Sequence, residues 1–172
     1  SADVDGDGNQ DLVTSDYNGE IQWWKSDLST PPAFSAQSPK IADSGSNGVY
    51  AFQAIDLNKD THMDIVAGHA DSNTIKYYEN DGSQTPQTFT ARTVSTDCGD
   101  VRHLHVLDID GDLHFDIVAA CFNGNNQGVM WYKNDGNSPP GWTAQQVASF
   151  AGGVTVKAGD MDGDGDIDIV AS

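Results

Sequence analysis

The chain has 172 residues, a formal net charge of −18 at pH 7 and 37% hydrophobic residues. With 8 Lys and Arg against 26 Asp and Glu it lacks the basic surface that nucleic acid rewards, and no apolar run is long enough for a membrane-spanning helix. The acidity is almost entirely aspartate, since Glu20 and Glu79 are the only glutamates, and 18 glycines accompany it, a composition of turns and tight polar loops.

In chain order, the first element is an Asp-rich segment, DVDGDGNQD at 3–11, followed by the apolar run LVTS. An aromatic run, IQWWKSD (21–27), comes next, then FSAQSPKI from Phe34, then VYAFQAI (49–55). A second Asp-rich segment, DLNKDTHMD at 56–64, is followed by IVAG, IKYYEND (75–81), FTARTV from Phe89 and VRHLHVL (101–107). The third cycle reads DIDGDLHFD at 108–116, IVAA, VMWYKND (129–135), WTAQQV from Trp142 and GVTVKAG (153–159). A fourth Asp-rich segment, DMDGDGDID at 160–168, precedes IVAS. The Asp-rich segments start 53, 52 and 52 residues apart, and the aromatic runs 54 apart.

Each unit holds four short runs of aromatic and β-branched residues, separated by Gly, Asn, Asp, Ser and Pro, with no sustained helical period. The repeat of about 52 residues predicts an all-β fold of β-propeller blades, each of four antiparallel strands. One such sheet cannot bury both faces alone, so neighbouring blades must stack on it. The pairs Trp23–Trp24, Tyr77–Tyr78 and Trp131–Tyr132 are expected to place one ring on each side of the sheet. Residues 1–172 make a partial propeller of three full repeats and the start of a fourth. Closed rings hold about four to eight blades, so the chain is expected to be a segment of a longer protein or assembly.

The Asp loops have the chemistry of calcium sites. Calcium takes about six to eight oxygen ligands at 2.3–2.6 Å, and a nine-residue loop with side-chain oxygens at positions 1, 3, 5 and 9 can wrap the ion, position 7 adding a backbone carbonyl. Loop one supplies Asp3, Asp5, Asp7 and Asp11 with the Asn9 carbonyl. Loop two supplies Asp56, Asn58, Asp60 and Asp64 with the His62 carbonyl. Loop three supplies Asp108, Asp110, Asp112 and Asp116 with the His114 carbonyl, and loop four Asp160, Asp162, Asp164 and Asp168 with the Asp166 carbonyl. The side chains of His62 and His114 are expected to point away from the ion. Loop two should bind more weakly, because Asn58 removes a carboxylate and Lys59 and Thr61 replace both glycines. Solvated acidic turns are the bland alternative, but unpaired carboxylates this dense repel one another. One Ca²⁺ per loop would bring the formal charge from −18 to about −10. An EF-hand is excluded, since it needs a Glu at position 12, here Thr14 in loop one, and flanking helices.

The DxDGDxxxD loops followed by [IL]-V, with the I-x-W-[WY] strands, resemble the FG-GAP/VCBS repeat family across essentially all of the chain. The resemblance implies a propeller, seven-bladed as in integrin α subunits, in which loop aspartates bind Ca²⁺ and brace each blade. It implies an extracellular or cell-surface structural and adhesive module, with a protein, matrix or glycan partner.

Two alternatives have candidate residues. A propeller lectin would use Tyr17, Trp142 and the loop 123–127. A secreted lyase or dehydratase would have to use Arg102, His103 and His105 near Cys98; the two histidines lie two apart on one strand face and could hold a metal or serve as acid and base. Their counterparts are Ala51 and Gln53, then Thr155 and Lys157, so polar lining is the simpler reading and no catalysis is expected. Cys98 and Cys121 are compatible with one disulfide or with two small buried thiols.

Overall fold

An Asp loop this tight must join two antiparallel neighbours, so the strands on either side of it belong to one sheet. The computed structural model, which describes residues 1–42, 48–83 and 87–172, shows that arrangement. The first sheet contains β1 (Leu12–Ser15), β2 (Ile21–Ser26) and β3 (Phe34–Ala36). The second runs β4 (Val49–Ile55), β5 (Asp64–His69), β6 (Thr74–Asn80) and β7 (Phe89–Ser95). The third runs β8 (Gly99–Leu107), β9 (Asp116–Asn123), β10 (Gly128–Asn134) and β11 (Trp142–Ala148). The pair β12 (Val156–Gly159) and β13 (Asp168–Ala171) begins a fourth. All pairings are antiparallel between sequential strands, and no helix occurs among the described residues.

The two complete sheets are propeller blades of four antiparallel strands, and the unit repeats about every 52 residues as the sequence predicts. The unit boundary differs, however. The sequence unit that opens on an Asp loop contributes its last run to the next sheet: β4 pairs with β5 across loop two, ending at Ile55 opposite Asp64, and β8 with β9 across loop three, ending at Leu107 opposite Asp116. The reason is hairpin geometry. A nine-residue loop that folds back on itself cannot carry the chain to another sheet.

The blades stack face to face. Between the first and second lie Val4, Ile21, Trp23, Val49, Ile65, Ala67 and Tyr78; between the second and third lie Val66, Ile75, Tyr77, Val101, Leu104, Ile117, Ala119 and Tyr132. The second strand of each complete blade is covered on both faces, which is why its apolar run does not alternate: every residue of β5 is buried, as are Asp116–Cys121 of β9. Burying an Ile such as Ile65 or Ile117 contributes about 1.5–3 kcal/mol relative to exposure. The aromatic pairs divide as expected. Tyr78 faces the first blade and Tyr77 the third, where its ring lies 6.4 Å from that of Trp142. The buried Tyr78 hydroxyl meets His69 Nε2 at 2.9 Å.

The inner strands β4, β8 and β12 lie side by side. Gln53 of β4 donates from its side-chain amide to the Val106 carbonyl at 3.1 Å and accepts from the Val106 N–H at 2.9 Å. Cys98 and Cys121 form a disulfide, Cα to Cα 5.1 Å, across the open end of the β8–β9 hairpin. No helix of the described residues is long and apolar enough to cross a membrane.

Candidate metal-binding loops

The four loops share one hydrogen-bonded wrap, nucleated by the first aspartate. Asp3 accepts from the N–H of Asp7 at 3.1 Å and of Gly8 at 2.9 Å. Asp56 accepts from Asp60 at 3.0 Å and Thr61 at 2.9 Å, Asp108 from Gly111 and Leu113 at 2.8 Å each, and Asp160 from Gly163 at 2.7 Å and Gly165 at 3.1 Å. At position 7 the N–H of Asn9, His62, His114 and Asp166 donates to the preceding position-5 carboxylate, at 2.9 Å in each loop.

Positions 4 and 6 carry a positive φ in every loop, including the non-glycine residues Lys59 (62°), Thr61 (78°) and Leu113 (71°). The loss of glycine in loop two therefore leaves its backbone shape unchanged. The shape is held at a steric cost that side chains beyond Cα incur in the left-handed region.

The position-9 aspartates do something the spacing does not announce. Asp11, Asp64 and Asp116 are fully buried, and both oxygens of each accept backbone N–H groups. One bond closes the loop, from Val4 at 3.2 Å, Leu57 at 3.1 Å and Ile109 at 3.4 Å. The other ties it to the end of β2, β6 or β10, from Ser26 at 2.9 Å, Asn80 at 2.8 Å and Asn134 at 2.8 Å. Asp168 accepts the matching bond from Met161 at 3.0 Å. Burial pushes the carboxyls of Asp11, Asp64 and Asp116 upward, Asp64 to about 6, against the backbone N–H groups that favour the anion.

In three loops the carboxylates converge. Asp3, Asp5 and Asp11 place one oxygen each within 4.8 Å of one another, as do Asp108, Asp110 and Asp112, and Asp160, Asp162 and Asp168. Oxygens on opposite sides of a calcium ion stand roughly 4.6–5.2 Å apart, so these hard, all-oxygen sets fit that cation. Asp7, Asp116 and Asp164 lie outside the groups of their own loops. Loop two does not bring three carboxylates together. Asn58 bonds Asp60 through both ends of its amide, at 3.0 Å each, and Lys59 turns away from its own loop to donate to the Leu113 carbonyl of loop three. The imidazoles of position 7 lie outside the wrap: the rings of His62 and His114 cover Gly82 and Gly136 in the turns after β6 and β10, and His62 Nδ1 lies 3.2 Å from Asp60.

Lys25 of β2 and Lys133 of β10 are site residues that spacing of acidic groups does not reveal. Lys25 Nζ bonds Asp5 and, at 2.7 Å, Asp7; Lys133 Nζ bonds Asp110 and lies 3.2 Å from Asp112. Lys25 holds the Asp7 carboxyl below the ordinary range. The signal was the lysine recurring in WWKSD and WYKND.

The other candidates stay apart. Tyr17 is 67% exposed in the β1–β2 turn, its ring edge-on to Tyr50 at 6.2 Å. Trp142 packs on Tyr77, and Asn126 of the 123–127 loop donates to the Asp97 carbonyl at 3.3 Å. Tyr17 and 123–127 follow strands running away from the Asp loops, whereas Trp142 opens β11 at the Asp-loop end, so no shared sugar platform forms. Arg102 lies between the rings of Tyr50 (5.0 Å) and Phe122 (4.9 Å) and pairs with Asp100 at 2.5 Å. His105 Nδ1 accepts from the Ala158 N–H at 3.0 Å, and burial, followed by Lys157, keeps both His103 and His105 below the usual imidazole range.

Repeated antiparallel blades, each closed by an Asp loop at the same hairpin, define a β-propeller-like repeat protein of the kind that serves protein interaction. The FG-GAP-like repeat matches the chain three times, over residues 3–67, 56–119 and 108–171, and the chain belongs to that family. No curated protein matches it.

Proposed function

We propose that this chain is a calcium-stabilised extracellular module that presents blade edges and loops to a protein, matrix or glycan partner and carries out no catalysis of its own. The observation that carries the reading is the convergence of three carboxylates in loops one, three and four at one fixed place in the blade. A cation there neutralises their repulsion and ties the hairpin, so its binding energy becomes folding energy. The disulfide supports an oxidising compartment, where free calcium is also high. His103 and His105, the nearest approach to an acid–base pair, face β12, and one of them is already engaged by its backbone.

Thermal melting with and without EDTA, followed by calcium titration, tests the proposal. The expected result is a marked rise in Tm with calcium and uptake of about one ion in each of loops one, three and four, with loop two weaker. A melting curve indifferent to both reagents would overturn it.

A further inference from the structure

We propose that Lys25 and Lys133 are built-in counter-ions that set the cation affinity of loops one and three, holding the carboxylates of positions 3 and 5 until a divalent cation displaces them. The inference rests on the calcium reading above and names the residues that tune it.

The two blades arrive at the same geometry independently. Lys25 directly precedes Ser26, whose N–H anchors Asp11; Lys133 directly precedes Asn134, whose N–H anchors Asp116. β2 and β10 are thus each pinned to the loop at one residue, and the preceding side chain is delivered over its carboxylates. Lys25 Nζ bridges Asp5 and Asp7, and Lys133 Nζ bridges Asp110 and Asp112. Asp5, Asp110 and Asp112 are themselves members of the converging groups, so ammonium and metal ion compete for the same carboxylates.

Blade two shows what happens when the partner is lost. Position 3 of its loop is Asn58, and the strand residue equivalent to Lys25 and Lys133 is Glu79. Glu79 turns aside to accept from Arg92 Nε at 2.5 Å. Within one chain, lysine on the strand accompanies aspartate in the loop, and glutamate accompanies asparagine. A lysine kept for helix, strand or solubility reasons alone has no cause to follow the loop's charge. Loop four has converging carboxylates that neither Lys25 nor Lys133 pairs with, and so serves as an internal reference.

A calcium titration of the full chain followed by ¹H–¹⁵N NMR resolves the loops one by one: the Gly8 amide reports loop one, Gly111 loop three and Gly165 loop four. Lys25→Met is expected to fill loop one at about three- to tenfold lower calcium, from the loss of one or two partly exposed ion pairs, with loops three and four unchanged. Lys133→Met should act in the same way on loop three alone, and Lys25→Arg should keep the wild-type midpoint. In loop two, Asn58→Asp should bind calcium more tightly alone than combined with Glu79→Lys, a comparison that holds even if Lys25→Met fails to fold. Unchanged or higher midpoints in the Met variants, with the wild-type loops filling normally, would overturn the counter-ion role. Failure of every wild-type loop to take calcium would overturn the calcium reading itself.

Discussion

His105 Nδ1 accepts a hydrogen bond from the Ala158 N–H at 3.0 Å, and Gln53, one blade earlier at the same register, grips both backbone groups of Val106. Each inner strand therefore holds the next by one side chain reaching past its equivalent to the following residue. The imidazole can do this only as an acceptor at Nδ1, which requires the neutral ring.

That requirement makes the junction of the third and fourth blades sensitive to pH. Burial first, then the nearby charges of Lys157 and His103, place the folded His105 below its ordinary value of 6.5. As pH falls below that value the unfolded chain takes up the proton before the folded one, so the contribution is full above 6.5 and is lost as pH drops through the folded pKa. His105→Gln, which can copy the Gln53 contact, should remove about 1 kcal/mol of the stability change between neutral and mildly acidic pH. Urea unfolding of both proteins across that range measures it. Equal slopes would mean that the ring does not act as the acceptor.

Gly68 and Val101 meet where the second blade packs on the third. A Cβ on Gly68 would stand 2.3 Å from Val101 Cγ1, closer than atoms can approach. Gly68→Ala should cost about 1–3 kcal/mol, seen as a lower Tm, and Val101→Ala in the same chain should recover part of the loss.

Thr61 and Leu113 occupy a left-handed backbone position that glycine fills in the other two loops, at φ 78° and 71°. Thr61→Gly and Leu113→Gly are each expected to stabilise the metal-free protein by about 1 kcal/mol, Thr61 more because its Cβ is branched. Denaturant midpoints in EDTA give the comparison, and a destabilised glycine variant would contradict the steric account.

The Cys98–Cys121 bond closes a segment with a sequence separation of 23 residues. By loop-closure entropy its reduction should lower stability by about 3 kcal/mol. Melting the Cys98→Ala, Cys121→Ala double variant checks this without reductant. The loss should appear at every calcium concentration, since the bond lies at the end of the blade away from the Asp loops.

Blade class and loop chemistry were legible in the residues because both are short-range. Asp at alternate loop positions, glycine at the left-handed ones and paired rings on one strand act within about ten residues of chain, and their recurrence every 52 or 53 residues exposes the blade. Tertiary structure decided which strand completes which sheet, because hairpin closure rather than the repeat boundary sets pairing. It also decided that Lys59 serves the neighbouring loop, that Lys25 and Lys133 lie over their own, that Asp11, Asp64 and Asp116 anchor strands, and that the two cysteines meet. Those contacts join residues from different strands or blades. Their geometry comes from the packing of one sheet on the next, which no local pattern of residue types contains.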